Sequence, residues 1–212
     1  MTRFRVGPMV WVFGALFVVV TVLVAHHATR HLDQSVYDWL TPTGSWNQTH
    51  QLVSDVPDWT APHFQLVAFG IFVLVLARRR RSLTPILVAG LLVGLAAFLV
   101  LAVKRMVPAV DTGGHLSGAG SYPSGHMAMT VATVGGVLLL LTAKTRWWQW
   151  VLVSLVPFAM ACCLLYGAIH WTSDVIGGAL LGATVVALVA GTPDRAGVKQ
   201  VPARERSDAP AR

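Results

Sequence analysis

Residues 122–142 read YPSGHMAMTVATVGGVLLLLT, a short polar entry followed by a run that is almost wholly apolar. Proline and serine ahead of an apolar run are the signature of a helix start. Crossing hydrocarbon in helical form takes about 20 such residues, so the stretch reads as a membrane span. Polar groups at the mouth of a span are costly unless they are used. Tyr122-Pro123-Ser124-Gly125-His126 therefore marks a candidate site where a span meets the membrane surface. A second stretch of the same kind follows, Gly167-Ala168-Ile169-His170-Trp171-Thr172-Ser173-Asp174, again beside a long apolar run.

The rest of the chain agrees with a membrane setting. Of 212 residues, 55% are hydrophobic and only 12% charged, against about 25% charged in soluble proteins. Six apolar runs are expected to span, at about 8–25, 61–77, 85–103, 124–142, 151–168 and 172–190. No cleavage site of small residues follows the first run, so it is expected to stay as a span. The expected fold is all-α, a six-transmembrane-helix bundle forming one domain over 1–191. The tail 192–212, rich in Pro, Arg and Ala, reads as disordered. Residues 29–60 are more polar. Leu32, Val36, Trp39 and Leu40 fall at helical spacing there, ahead of the turn Thr41-Pro42-Thr43-Gly44. That pattern fits either a short helix on the membrane surface or a packed extracytoplasmic loop.

The formal charge of +7 would suggest nucleic acid in a soluble protein. Here thirteen of the sixteen basic residues fall at the N-terminus, Arg78–Arg81, Lys144, Arg146 and the tail. Positive charge marks the cytoplasmic face, so both termini are expected there and no nucleic-acid partner is implied. All eight histidines and six of the nine acidic residues then lie at or near the outer face. The chain is expected in the cell membrane, multi-pass, with its site facing the periplasm or exterior. Cys162 and Cys163 lie inside an apolar run and are expected to be small buried side chains. No Cys/His spacing suggests a metal, and nothing in the sequence implies a cofactor.

His170 and Asp174 are four apart, which can place both on one helical face. A carboxylate on one ring nitrogen fixes the tautomer and leaves the other free as nucleophile or base. The same Asp at a helix start can also simply complement the helix dipole. At the other motif, the first N–H groups of a helix favour an anion. Ser124 can add a hydroxyl, Gly125 allows close backbone approach, and His126 can donate a proton. Lys104 closes the third run on the same face. Its ammonium can reach a phosphate or snorkel to lipid headgroups.

In this order the residues resemble the type-2 phosphatidate phosphatase superfamily of membrane lipid phosphatases. The family motifs are Lys-x6-Arg-Pro, Pro-Ser-Gly-His and Ser-Arg-x5-His-x3-Asp. The second is complete from Pro123 to His126, the third is matched at His170 and Asp174, and the first only at Lys104. The resemblance covers roughly residues 61–190. It implies a phosphohistidine on His170, oriented by Asp174, with His126 protonating the leaving alkoxide. It also implies that Lys104, Ser124 and the Gly125 amide hold the phosphate oxygens, with no metal.

Both motif arginines are missing. Asp111 and Thr112 stand where the first motif has Arg-Pro, and Cys163 and Leu164 where the third has Ser-Arg. Lysine cannot copy the bidentate fork of an arginine. Arg105 and His115 are the nearby cations able to replace it. Two classes of function stay open: a phosphatase acting on a lipid phosphate or isoprenoid pyrophosphate, and an inactive phosphatase-like protein that binds a lipid or a partner. A lipid-to-lipid phosphotransferase is a variant of the first. The apolar runs argue against a soluble vanadium haloperoxidase, which shares the motifs.

Overall fold

The computed structural model describes residues 7–41, 47–107, 109–112, 120–142 and 145–191. They form eight helices: α1 (Gly7–Ala25), α2 (Arg30–Leu40), α3 (Gln48–Trp59), α4 (Pro62–Arg80), α5 (Thr84–Met106), α6 (Gly125–Leu141), α7 (Trp147–Tyr166) and α8 (Thr172–Ala190). The expected tail, Lys144 and His115 lie outside the described residues. Among the described residues the fold is all-helical.

Five helices are long and apolar enough to cross a membrane: α1, α4, α5, α7 and α8. The sixth, α6, is equally apolar but has 17 residues, about 26 Å at 1.5 Å per residue. It is also the most enclosed. Ala128 and Ala132 are fully buried, and they pack with Leu92 and Ala96 of α5 and Leu181 and Val185 of α8.

The α6–α8 contact is set by small residues. At Gly178 an added Cβ would meet the Ser124 carbonyl and lie 3.0 Å from Met127 Cβ. One turn on, at Gly182, it would lie 2.8 Å from the Ala128 carbonyl oxygen. Without side chains at these two positions the backbones approach closely, as in small-xxx-small pairings of membrane helices. That closeness brings the starts of α6 and α8 together, and Ser124 N–H donates to the Asp174 carbonyl at 3.0 Å.

The polar segment 29–60 holds two helices. The helical spacing of Leu32, Val36, Trp39 and Leu40 falls on α2, where Leu32 and Trp39 are exposed. The second, α3, was not anticipated. Asn47 caps it, its side chain accepting from the His50 N–H at 2.8 Å, and buried His50 stacks on Tyr166 of α7 at 4.2 Å. The cysteine expectation needs correcting: Cys162 is exposed on α7 and Cys163 only half-buried. Residues 162 and 163 project about 100° apart on a helix, so they cannot share one environment.

Candidate active site

Three helix ends and one loop converge. His126 stands in the first turn of α6, His170 just before α8, Asp174 in the first turn of α8 and Lys104 in the last turn of α5. The rings of His126 and His170 lie 6.0 Å apart between centroids and are inclined by 65°. His170 Nδ1 is 3.3 Å from Asp174 Oδ2. Asp174 is 1% exposed and the His170 side chain 12%. A carboxylate so buried must be met by donors. Its Oδ2 also accepts the Trp171 N–H at 3.3 Å, and Ser121 Oγ lies 3.4 Å from Oδ1. With Nδ1 facing the carboxylate, Nε2 is the ring nitrogen left for chemistry.

Ser124 is fully buried, and its Oγ accepts the Met127 N–H at 3.4 Å, so it caps α6. The N–H groups of Gly125 and His126 make no hydrogen bond among the described residues. They are the unfilled donors that a helix start presents to an anion.

Lys104 does more than close its helix. Its Nζ donates to the Gly120 carbonyl at 2.7 Å and the Ser121 carbonyl at 3.1 Å. An ammonium has three N–H donors, so one remains for a ligand. Gly120 has φ of +62°, and a Cβ there would sit 3.2 Å from the Lys104 and Val107 carbonyls. Only glycine suits such a turn, and the turn aims its carbonyl at the ammonium. Gly120 and Ser121 were not singled out in the sequence. Glycine and serine in a loop are too common to mark a site.

The two missing arginines are explained differently. Leu164 is fully buried in α7 among Met127, Met160 and Val175, so its position is apolar core. Asp111 is half-buried in the loop 109–112, which is tied down by Thr112 Oγ1 donating to the Ala168 carbonyl at 2.7 Å. Asp111 lines a cavity of about 590 Å³ with Asp174, Trp171, Thr112 and Arg30. Neither His126 nor His170 lines that cavity, so it is not the space between the two rings. Arg105 is exposed and forms no ion pair among the described residues.

Residues 106–197 match the PAP2 superfamily. That match takes in under half of the chain. An undecaprenyl-diphosphatase from Sulfolobus acidocaldarius is 43% identical over 65 residues, which is 31% of this chain and 30% of that protein. The match thus spans less than a third of that relative's length. The crystal structure of a transmembrane PAP2-type phosphatidylglycerolphosphate phosphatase from Bacillus subtilis superimposes with a TM-score of 0.74. It shares 17% identity, over 86% of this chain and 94% of that one. At that identity the likeness establishes the fold alone, that of a multi-pass membrane protein. The apolar helices fit a multi-pass membrane protein, and the PAP2 match is confined to its second half. The PAP2 segment begins at the end of α5 and takes in α6, α7 and α8, so His126, His170 and Asp174 lie within it and Lys104 two residues ahead of it.

Proposed function

We propose that the protein hydrolyses a lipid phosphate or an isoprenoid diphosphate at the outer face of the cell membrane, through a phosphohistidine. The observation that carries this reading is the His126–His170 pair, 6.0 Å apart with Asp174 on the inner nitrogen of His170. An attacking nitrogen about 3–3.5 Å from phosphorus and a proton donor about 2.6–3.2 Å from the leaving oxygen stand about 7–8 Å apart, atom to atom, along one phosphate. Ring centroids 6.0 Å apart are compatible with that span, because each ring nitrogen lies off its centroid.

His170 Nε2 forms the bond to phosphorus, and the bond from phosphorus to the leaving oxygen breaks, that oxygen belonging to the lipid alcohol of a monophosphate or to the inner phosphate of a diphosphate. His126 gives its proton to the departing oxygen. Asp174 stabilises the positive charge that grows on the His170 ring. Water then attacks phosphorus, His126 takes a proton from it, and the nitrogen–phosphorus bond breaks. No metal enters this cycle. The α6 amides of Gly125 and His126 and the third N–H of Lys104 hold the phosphate oxygens. Six spans with both termini in the cytoplasm would put this site outside, a topology supported by the positive charge at Arg78–Arg81.

The test is phosphate release from a panel of lipid monophosphates and isoprenoid diphosphates by purified protein, beside His170→Ala and His126→Ala. Release by the parent protein that both variants lose is expected. Equal release from His170→Ala would exclude the phosphohistidine. An acceptor alcohol added to the assay distinguishes transfer from hydrolysis by the appearance of a new phosphate ester.

A further inference from the structure

The start of α8 carries Asp174 and is separated from His170 by one residue, yet its N-cap residue offers no acceptor to the first turn. Its N-cap residue is Trp171, whose side chain has no oxygen to offer the first N–H groups. The acceptor comes from another helix. Asp33 of α2 takes the Ser173 N–H on Oδ1 and the Ser173 hydroxyl on Oδ2, both at 2.8 Å. Asp33 is 6% exposed and Ser173 equally buried, so this pair is an internal link and not a surface contact. One turn along α2, Tyr37 packs its ring on Trp171 at 5.4 Å. Positions 33 and 37 are four apart and share one helix face. That face grips residues 171 and 173, on either side of which stand His170 and Asp174.

We infer that Asp33 is a positioning residue: it caps α8 from outside and thereby fixes Asp174 against His170. The inference rests on the phosphatase reading for its kinetic consequence. Asp174 must answer Trp171 N–H, Ser121 Oγ and the His170 ring at 3.3–3.4 Å, already near the limit of a hydrogen bond. A small shift of the first turn of α8 would break that set. Asp33 lies in α2, well outside the segment 106–197 that matches the PAP2 superfamily. The capping carboxylate is thus supplied by a part of the chain that the family match does not cover.

The experiment compares Asp33→Ala, Asp33→Asn and Ser173→Ala in the full chain, reading both turnover and hydrogen exchange. Asparagine can still accept the Ser173 N–H and donate to its hydroxyl, so it keeps both bonds; alanine keeps neither. Expected for Asp33→Ala is a loss in kcat of about tenfold or more per folded protein with KM little changed. Amide exchange over residues 171–176 should rise with it. Asp33→Asn should restore kcat to within about threefold and return exchange to the parent rate, and Ser173→Ala should fall between. If Asp33→Ala does not fold, Asp33→Asn and Ser173→Ala still rank the link. An Asp33→Asn protein as impaired as Asp33→Ala would overturn the capping role. So would Ser173→Ala, or a folded Asp33→Ala, with unchanged exchange over 171–176. A parent protein that releases no phosphate, with exchange still responding to Asp33→Ala, would remove the phosphatase reading and leave the cap standing.

Discussion

Replacing Asp174 by asparagine separates the two services that a carboxylate gives a histidine. Trp171 N–H is a donor only, so it holds the oxygen of the new amide at the Oδ2 position. That oxygen can also accept from His170 Nδ1, 3.3 Å away in the parent protein, and so the tautomer survives. The amide NH2 then faces Ser121 Oγ, whose own proton can go to the Val110 carbonyl at 3.0 Å. Every partner stays satisfied, and only the negative charge is lost. A unit charge about 4 Å from the ring is worth about 4 kcal/mol at an effective dielectric constant near 20. At about 1.4 kcal/mol per decade, the ceiling is roughly 10³ in rate. We expect kcat to fall by about 10²–10³ with KM nearly unchanged, because the charge matters only once the ring becomes cationic. The assay is phosphate release at saturating substrate in detergent micelles, normalised to folded protein, with the melting temperature as control. An Asp174→Asn protein within about threefold of the parent in kcat would refute the electrostatic role. A collapsed melting temperature would refute the claim that all partners remain satisfied.

Gly178→Ala should destabilise by about 1–3 kcal/mol through overpacking against the Ser124 carbonyl. Gly70→Ala, where nothing lies within 4 Å, should be neutral or stabilising, and melting curves compare the two. Tyr122→Phe removes a buried phenol whose OH sits 2.8 Å from Thr21 Oγ1. Since Thr21 gives its own proton to the Phe17 carbonyl, the phenol is the donor, and the loss should be about 0.5–1.5 kcal/mol. Burial pushes that phenol up to about 12. It stays neutral at every working pH, so the alkaline limb of the activity profile should be the same in Tyr122→Phe and the parent. Leu164→Arg, which restores a motif arginine, should abolish the monodisperse peak in size-exclusion chromatography, because an unpaired charge would enter fully buried core. Asp111→Arg, on a half-buried loop, should keep that peak.

The spans were readable because hydrocarbon imposes a strict composition, and runs such as Pro8–Ala25 and Thr172–Ala190 meet it almost residue for residue. The meeting of His126 with His170 was readable as well. Each histidine stands at the start of an apolar run, and few arrangements of a bundle keep two such starts on one face apart. The polar segment was less legible. In α3 the cap Asn47 is visible, but Pro57 interrupts the helical reading, and the helix is held by His50 on Tyr166, a contact that exists only after folding. Ser124 shows a related limit. The sequence offers a hydroxyl at the right place for a phosphate, and the structure uses its oxygen for the Met127 N–H. Asp33 had no signal beyond being acidic, because the donor it serves lies 140 residues away.

The missing arginines bear on how such a site would work. Two guanidinium forks would bring two full charges and fix the phosphate in a plane. Here a phosphate would meet Lys104, with two of its three donors already taken by loop carbonyls, and the start of α6, equivalent to about half a unit charge. Affinity for the ground state suffers less from this than it would in a soluble enzyme. A lipid substrate is confined to the bilayer, which keeps its local concentration high, so weak binding suffices for occupancy. The transition state has no such relief. Negative charge moves onto the leaving and peripheral oxygens, and only donors already in place stabilise it. Under the phosphatase reading, the cost of losing the arginines falls on kcat more than on KM. On the same reading the remaining donors matter more, and the starts of α6 and α8 are both tied down. The Ser124–Asp174 backbone bond at 3.0 Å joins the two helix starts. The two Asp33–Ser173 bonds at 2.8 Å join the second start to α2. Where charge is scarce, preorganisation is the term left to supply the rate.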